Sequence, residues 1–327
     1  MAYAEHINVL NLQTLIDLVT AFCAANGWTV ERNNLVSTNR SATLRIPGVS
    51  DYVHLFNNDQ INLRSRVSVG YSAAAAPNLQ PNVSPADGLS NVQAGPYPRV
   101  KLFANGNAVH VAISTAIAGQ YRHHAFGVLD KAGDYVGGTY ADGTYWAGLT
   151  GSYSGYVTPN APNVVLFGFN YDVAGCGHVR ADSVEDGRSN SFHRISNYYS
   201  GSLLPEGTAC TGVGTMGQAN TSTTSSDTLW LGRVLGGADQ NTFSGRSVFH
   251  PVTFSVRRAG TAAYLSPIGT VIGTRACSLA KLEPEQEVTI GEETWVVFPW
   301  LDKRPMSTAG NAPPASGNYG WAVRKTS

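Results

Sequence analysis

The decapeptide Tyr121-Arg122-His123-His124-Ala125-Phe126-Gly127-Val128-Leu129-Asp130 sets two adjacent imidazoles behind an arginine and ahead of an aspartate. Imidazole titrates near neutrality and ligates transition metals, so such a cluster offers general acid–base chemistry or a metal centre. In a β-strand, however, successive side chains leave on opposite faces. Tyr121, His123 and Ala125 then share one face, and Arg122, His124 and Phe126 the other. A mononuclear site using both histidines would need a bulge. The expectation is a structural strand, followed by a turn over 131–138 into a second strand.

Other residues with chemical potential are set against the same test. Cys176-Gly177-His178 would put a thiolate and an imidazole on one strand face, two of the four ligands of a structural zinc site. His193 or His250 would have to complete it, and the bland reading is a strand end with a buried thiol. Gly151-Ser152-Tyr153-Ser154-Gly155 has Tyr153 where a nucleophile elbow needs serine, and no strand and helix flank it. Gly212-Val213-Gly214-Thr215-Met216-Gly217 has dinucleotide-loop lettering without a βαβ unit around it. Asp134, Asp142, Asp182, Glu185 and Asp186 lie in turn-like surroundings, and their spacing does not argue for glycoside hydrolysis. Tyr135, Tyr140, Tyr145, Trp146, Tyr153 and Tyr156 form a dense aromatic region. Of these, Tyr135, Tyr140, Tyr145 and Trp146 are candidates to stack on a glycan or to anchor an interface. No catalytic, cofactor-binding or metal-ligating residue is assigned from the sequence, and no cofactor is expected.

The elements that must position these residues are mostly strands. Leu12, Leu15, Ile16, Val19, Phe22 and Cys23 recur at helical spacing, with Asn11 as N-cap and Gly27 as the C-terminal stop. Trp28-Thr29-Val30-Glu31-Arg32 then begins to alternate as a strand. Residues 61–71 follow period two, with Ile61, Leu63, Val67, Val69 and Tyr71 on one face and Arg64 and Arg66 on the other. Val109, Val111 and Ile113 alternate likewise, as does Thr253-Phe254-Ser255-Val256-Arg257. The apolar run Val164-Val165-Leu166-Phe167-Gly168-Phe169 reads as a strand buried on both faces. Val288-Thr289-Ile290 and Thr294-Trp295-Val296-Val297-Phe298 flank Gly291-Glu292-Glu293 as a hairpin.

Three low-complexity stretches interrupt this pattern: 73–98, 207–227 and 304–318. Each reads as an irregular arm that orders against neighbouring chains. The expected architecture is therefore mainly β, with antiparallel sheets in a sandwich- or barrel-like arrangement, one short N-terminal α-helix and long irregular arms. Its divisions are a helix–strand unit over 1–72, an Ala/Pro/Asn-rich loop or arm over 73–98, a central β-rich domain over 99–303, and a linker with closing strand over 304–327.

Composition narrows the function classes. The chain has 327 residues, of which charged residues are 13%, against ~25% in ordinary soluble domains. So few charges suit a surface largely taken up by neighbours. Net charge is zero, and no basic stripe is visible, which argues against nucleic-acid binding. Cys23, Cys176, Cys210 and Cys277 form no CxxC pair and suggest no disulfide scaffold, in keeping with folding in a reducing cytoplasm. Neither a secretory signal nor a run of ~18 apolar residues is present, so a soluble protein without membrane insertion is expected.

The end of the chain carries the most distinctive text: Gly291-Glu292-Glu293-Thr294-Trp295-Val296-Val297-Phe298-Pro299-Trp300, then Gly317-Asn318-Tyr319-Gly320-Trp321-Ala322-Val323-Arg324-Lys325. This hairpin closing in W-x-x-F-P-W and its late strand resemble the C-termini of structural proteins of tailed bacteriophages. The helix ending Ala25-Asn26-Gly27-Trp28-Thr29-Val30 and the Y-R-H-x-x-F-G string at Tyr121 resemble the same group. The resemblance implies a virion structural protein, assembled in the host cytoplasm, with copies of itself and other virion proteins as partners. It implies no catalytic residues. Tail or baseplate is the expected location, with the head or neck (collar or decoration) as the alternative. Two rival classes remain: a carbohydrate- or receptor-binding tail module contacting host surface glycan, and a tail-associated depolymerase using Asp134, Asp142 or Asp182.

Overall fold

The computed structural model describes residues 2–85, 87–144, 164–169, 177–182, 192–196, 210–214, 249–257, 265–303 and 318–326. The first part comprises β1 (Tyr3–Val9), α1 (Leu12–Ala25), β2 (Thr29–Val36), β3 (Asn39–Arg45), β4 (Tyr52–Phe56), β5 (Asn62–Ser68) and β6 (Gly88–Asn91). There follow β7 (Tyr97–Asn105), β8 (Ala108–Ser114), β9 (Tyr121–Val128), β10 (Asp130–Lys131), β11 (Gly137–Gly143), β12 (Val164–Val165), β13 (Gly168–Phe169) and β14 (His178–Ala181). The last are β15 (Phe192–Ser196), β16 (Cys210–Gly214), β17 (His250–Arg257), β18 (Leu265–Ser278), β19 (Glu287–Ile290), β20 (Glu293–Pro299) and β21 (Tyr319–Lys325).

The fold is mainly β with one short helix. A small antiparallel sheet runs in the order β2-β3-β4-β5-β6. A long sheet, curved into a half-barrel, runs β1-β7-β8-β9-β11-β14-β15-β16-β17-β18-β21-β20-β19, with β10 beside β18. Its pairings are antiparallel except β15 with β16.

Helix α1 forms because one stripe of it is apolar and its ends are satisfied. The Asn11 side chain accepts from the Thr14 backbone N–H, and Gly27 takes the left-handed conformation just beyond the last turn. The stripe of Leu12, Leu15, Ile16, Val19, Phe22 and Cys23 packs between the small sheet and the first strands of the long one. There it meets Ala42, Leu44, Val53 and Leu55 on one side and Val100, Leu102 and Val111 on the other. Trp28 closes this core edge-on against Phe126 of β9, at 5.6 Å between ring centroids. The concave side of the half-barrel holds a second core, in which Phe103, Tyr140, Phe167, Phe254, Phe298 and Trp321 interlock.

Three sequence expectations need correction. The Val164–Phe169 run is a tight hairpin, β12 paired with β13, rather than one strand. Phe167 turns the corner at φ 63°, and Leu166 and Phe167 are both buried; the apolar run carried no local mark of that turn. Residues 73–98, expected as a loop or arm, are a loop bound to the small sheet with β6 at its end, and not an arm. Gln80 pins the segment to itself, accepting from the Ser72 backbone N–H at 2.7 Å and donating to the Ser72 and Ala75 carbonyls. Its β6 then completes the small sheet with Leu89 buried. The division at residue 72 also cuts across the fold, since β1 pairs with β7 of the long sheet. Of the other two stretches, 210–214 is strand β16 and the rest of 207–227 lies outside the described residues, as does nearly all of 304–318. The closing strand expected after it is β21, which pairs with β18 and β20.

Candidate functional site

Strand β9 lies between β8 and β11 and is buried on both faces, with Arg122, His123 and His124 all inaccessible to solvent. The alternation read from the sequence holds. Tyr121 and Ala125 belong to the half-barrel core, and Phe126 to the core around α1. The strand is a central one, not the polar side of an exposed one.

On the concave face, Nε2 of His123 lies 2.9 Å from the Pro299 carbonyl, which can only accept. The proton is therefore on Nε2, and Nδ1 of His123 accepts from Nε2–H of His110 at 3.0 Å. Nδ1 of His110 in turn accepts from the Thr274 hydroxyl at 3.2 Å. Both rings are thus held as neutral tautomers. On the other face, the Ser90 hydroxyl donates to the His123 carbonyl, so Nδ1–H of His124 donates to Ser90 Oγ at 2.8 Å. Burial drives the His123 pKa down to about 4, against a smaller upward pull from the Pro299 carbonyl, and the His124 pKa down to about 3. Arg122 donates Nε–H to the Asn91 carbonyl and one terminal N–H to the Tyr121 carbonyl. Its other terminal nitrogen, like Nε2 of His124, is buried without a partner among the described residues. This array ties β8, β9 and β20 together and links β9 to β6. Asp130 does not join it: it sits exposed in β10, paired with Thr270.

The carboxylates also separate. Asp142 is fully buried and accepts from the backbone N–H groups of Phe167 at 2.6 Å and Gly177 at 3.0 Å, holding the β12–β13 hairpin and the start of β14. Burial outweighs those bonds and pushes its pKa up to about 7. Asp182 pairs with Arg180, which also binds the buried Asp51, and Asp134 is exposed in the 131–136 turn. The described carboxylates thus serve different partners. Glu185 and Asp186 lie outside the described residues.

Of the candidate aromatics, Tyr140 is a core residue, packed edge-on against Phe167 and Phe254. Tyr135 is half-buried under the Lys131 ammonium, 5.0 Å from its ring centroid. Tyr145, Trp146, Tyr153 and Tyr156 lie outside the described residues, as do Cys176 and the Gly151–Gly155 string. His178 is buried at the start of β14, His250 is half-buried at the start of β17, and His193 is placed in β15. Gly212-Val213-Gly214 is the end of strand β16, between β15 and β17, rather than a strand-to-helix turn.

Two polar regions were not anticipated. One is a charged seam at the open side of the half-barrel. Glu285 accepts from Lys101 at 3.0 Å, from the Tyr121 hydroxyl at 3.1 Å and from Arg99, which also pairs with Glu5 of β1. Burial opposes ionisation of Glu285, but these donors hold its pKa below the usual carboxylate value. The other is a groove of about 520 Å³ on the face of the small sheet opposite α1. Its floor is β2, β3 and β4; its wall is the segment 73–78. Beside the floor, Thr43, His54 and Ser68 form a buried ladder across β3, β4 and β5, at 3.0 and 2.7 Å. Arg64 and Arg66, read only as the polar face of β5, are bound to Asp87 at the far side.

No protein-family model matches this chain, and no curated protein matches it. Among the described residues, no helix is long and apolar enough to cross a membrane.

Proposed function

We propose that this chain is a structural subunit of a tailed-bacteriophage virion, built into the tail or baseplate through its sheet edges and extended segments. The observation that carries the reading is the uncharged, apolar outer edge of the small sheet at the end of β2. Strand β2 has no strand on its outer side among the described residues, and it presents Leu35 at 55% and Val36 at 72% exposure. Sheet edges are guarded by charges, proline, bulges or a covering segment. The first half of β2 has a bulge with Glu31 and Arg32 beside it, bonded to Tyr71 and the 72–75 segment, whereas Asn33–Val36 carries neither charge nor proline. Strand β1, at one end of the long sheet, exposes Ile7 at 68% in the same way. Edges of this kind add strands from neighbouring chains, and a subunit that fills space needs them.

The phage-like segments support the reading from a second direction. They fall on the α1–β2 junction, β9, the end of β20, and β21, elements that close the two cores and so give the subunit its shape. The buried, neutral histidines of β8 and β9 fit a protein that holds a position, and assembly in the host cytoplasm fits its sparse cysteines. Mass spectrometry of phage particles separated into heads and tails tests the proposal. The expected result is this chain in the tail fraction at a fixed copy number. Finding it only in heads would move the subunit to the head or neck, and its absence from particles would overturn the reading.

A further inference from the structure

The groove on the small sheet leaves uncharged polar side chains open to solvent while its cations are bonded within the chain. Its cations are already used. Arg32 donates to the carbonyls of Ser72, Ala73 and Ala75, Arg66 is bound to Asp87, and Arg40 to Asp17. A phosphate would have to break those bonds. The side chains of Asn34, Asn39, Ser41, Asn58 and Asn78 make no hydrogen bond to the described residues, and all five line the groove beside the half-buried Phe56 ring. Four amides and a hydroxyl offer both donors and acceptors without charge. Vicinal sugar hydroxyls are also both donor and acceptor, and the C–H face of a pyranose packs on an aromatic ring.

Size and stiffness agree with this. A volume of about 520 Å³ falls within the ~300–1,000 Å³ of small-ligand sites. The wall is fixed before any ligand arrives, because Gln80 and Arg32 bind the backbone of 72–75 from both sides, and a fixed wall lowers the ordering cost of binding.

We propose that this groove is a binding site for a short neutral oligosaccharide, held by Asn34, Asn39, Ser41 and Asn58 with one sugar face on Phe56. Its residues are other than those of the Tyr135–Tyr156 aromatic segment, and it stands whether or not the chain belongs to a virion. The test is calorimetric titration of the full chain with maltotriose, cellotriose, mannotriose and chitotriose, followed by an array of neutral and acidic glycans. At least one neutral glycan is expected to bind. Asn34→Ala and Asn58→Ala should each weaken it by about 3- to 10-fold, as for loss of one hydrogen bond. Ser41→Trp should fill the groove and abolish binding, with all three variants melting like the parent. Four results would overturn the proposal: no binding in either format, binding only of acidic glycans, binding lost on Trp146→Ala but indifferent to the groove variants, or an Asn39→Cys cross-link showing the groove filled by a second copy.

Discussion

Strand β9 and the outer face of the small sheet both carry arginine, amide or imidazole groups on regular strands, but they commit them differently. In β9 most of the polar side-chain groups are tied to other elements of the same chain: His123 to Pro299 and His110, His124 to Ser90, Arg122 to Asn91. On the small sheet the bonded groups, Arg32 and Arg66, hold the wall and the far side, while Asn34, Asn39, Ser41 and Asn58 are left unpaired among the described residues. Residue type alone does not separate a structural polar cluster from a receptive one. What separates them is whether the chain itself supplies the partners, and whether solvent reaches the group.

The largest expected break in this contrast comes from His123→Ala. It leaves the His110 N–H without its acceptor and removes a ring from a dry core, so a loss of about 3–5 kcal/mol is expected in denaturant unfolding. A loss below 1 kcal/mol would mean that the array does not hold β8, β9 and β20 together.

Acid titration sharpens the same point. The folded chain withholds protons from His54, His123 and His124, whose pKa values fall to about 3, 4 and 3 from 6.5. The unfolded chain takes them up as pH drops below that value, so stability falls from pH 6.5 down to the folded values, about 4 for His123 and about 3 for His54 and His124. Asp142 runs the other way. Raised to about 7, it keeps a proton that the unfolded chain releases above its ordinary 3.8, so its contribution grows as pH falls through that window. Three groups outweigh one, and thermal melting is expected at lower temperature at pH 5 than at pH 7. His124→Gln should flatten the slope by about 1.4 kcal/mol per pH unit, the linkage value of one proton. A flat profile in the parent would contradict the burial of these rings.

A smaller effect belongs to the seam. Glu285→Gln weakens its bonds to Lys101, Arg99 and Tyr121 at a largely buried carboxylate beside the partly exposed Arg99, and about 1–2 kcal/mol is expected, reduced by salt. The smallest effect lies in the groove, where Asn34→Ala should change stability by less than about 0.5 kcal/mol while altering ligand binding.

Part of this contrast is legible in the amino-acid sequence alone. The stripe from Leu12 to Cys23, with its Asn11 cap and Gly27 stop, specifies α1 locally, and Gly291 marks the β19–β20 turn by its left-handed backbone. The split of His123 from His124 follows from strand geometry. The remainder depends on contacts distant in sequence. Segment 73–98 reads as a loop or arm because its bonds to Arg32 and the pairing of its β6 with β5 leave no periodic mark in its Ala/Pro/Asn-rich sequence. The groove draws residues from 32–41, 56–58 and 73–78, and only the order of the strands brings them together. The turn at Phe167 is set by the buried Asp142 carboxylate, which grips its backbone N–H, and the apolar run around it gives no hint.

Assembly through the exposed sheet edges is open to native mass spectrometry of the full chain beside a Leu35→Lys, Val36→Lys double variant. Multi-copy assemblies of the parent that fall to monomers in the variant, with both melting alike, are the predicted result. A parent that stays monomeric at every concentration, or assemblies indifferent to the two lysines, would contradict it.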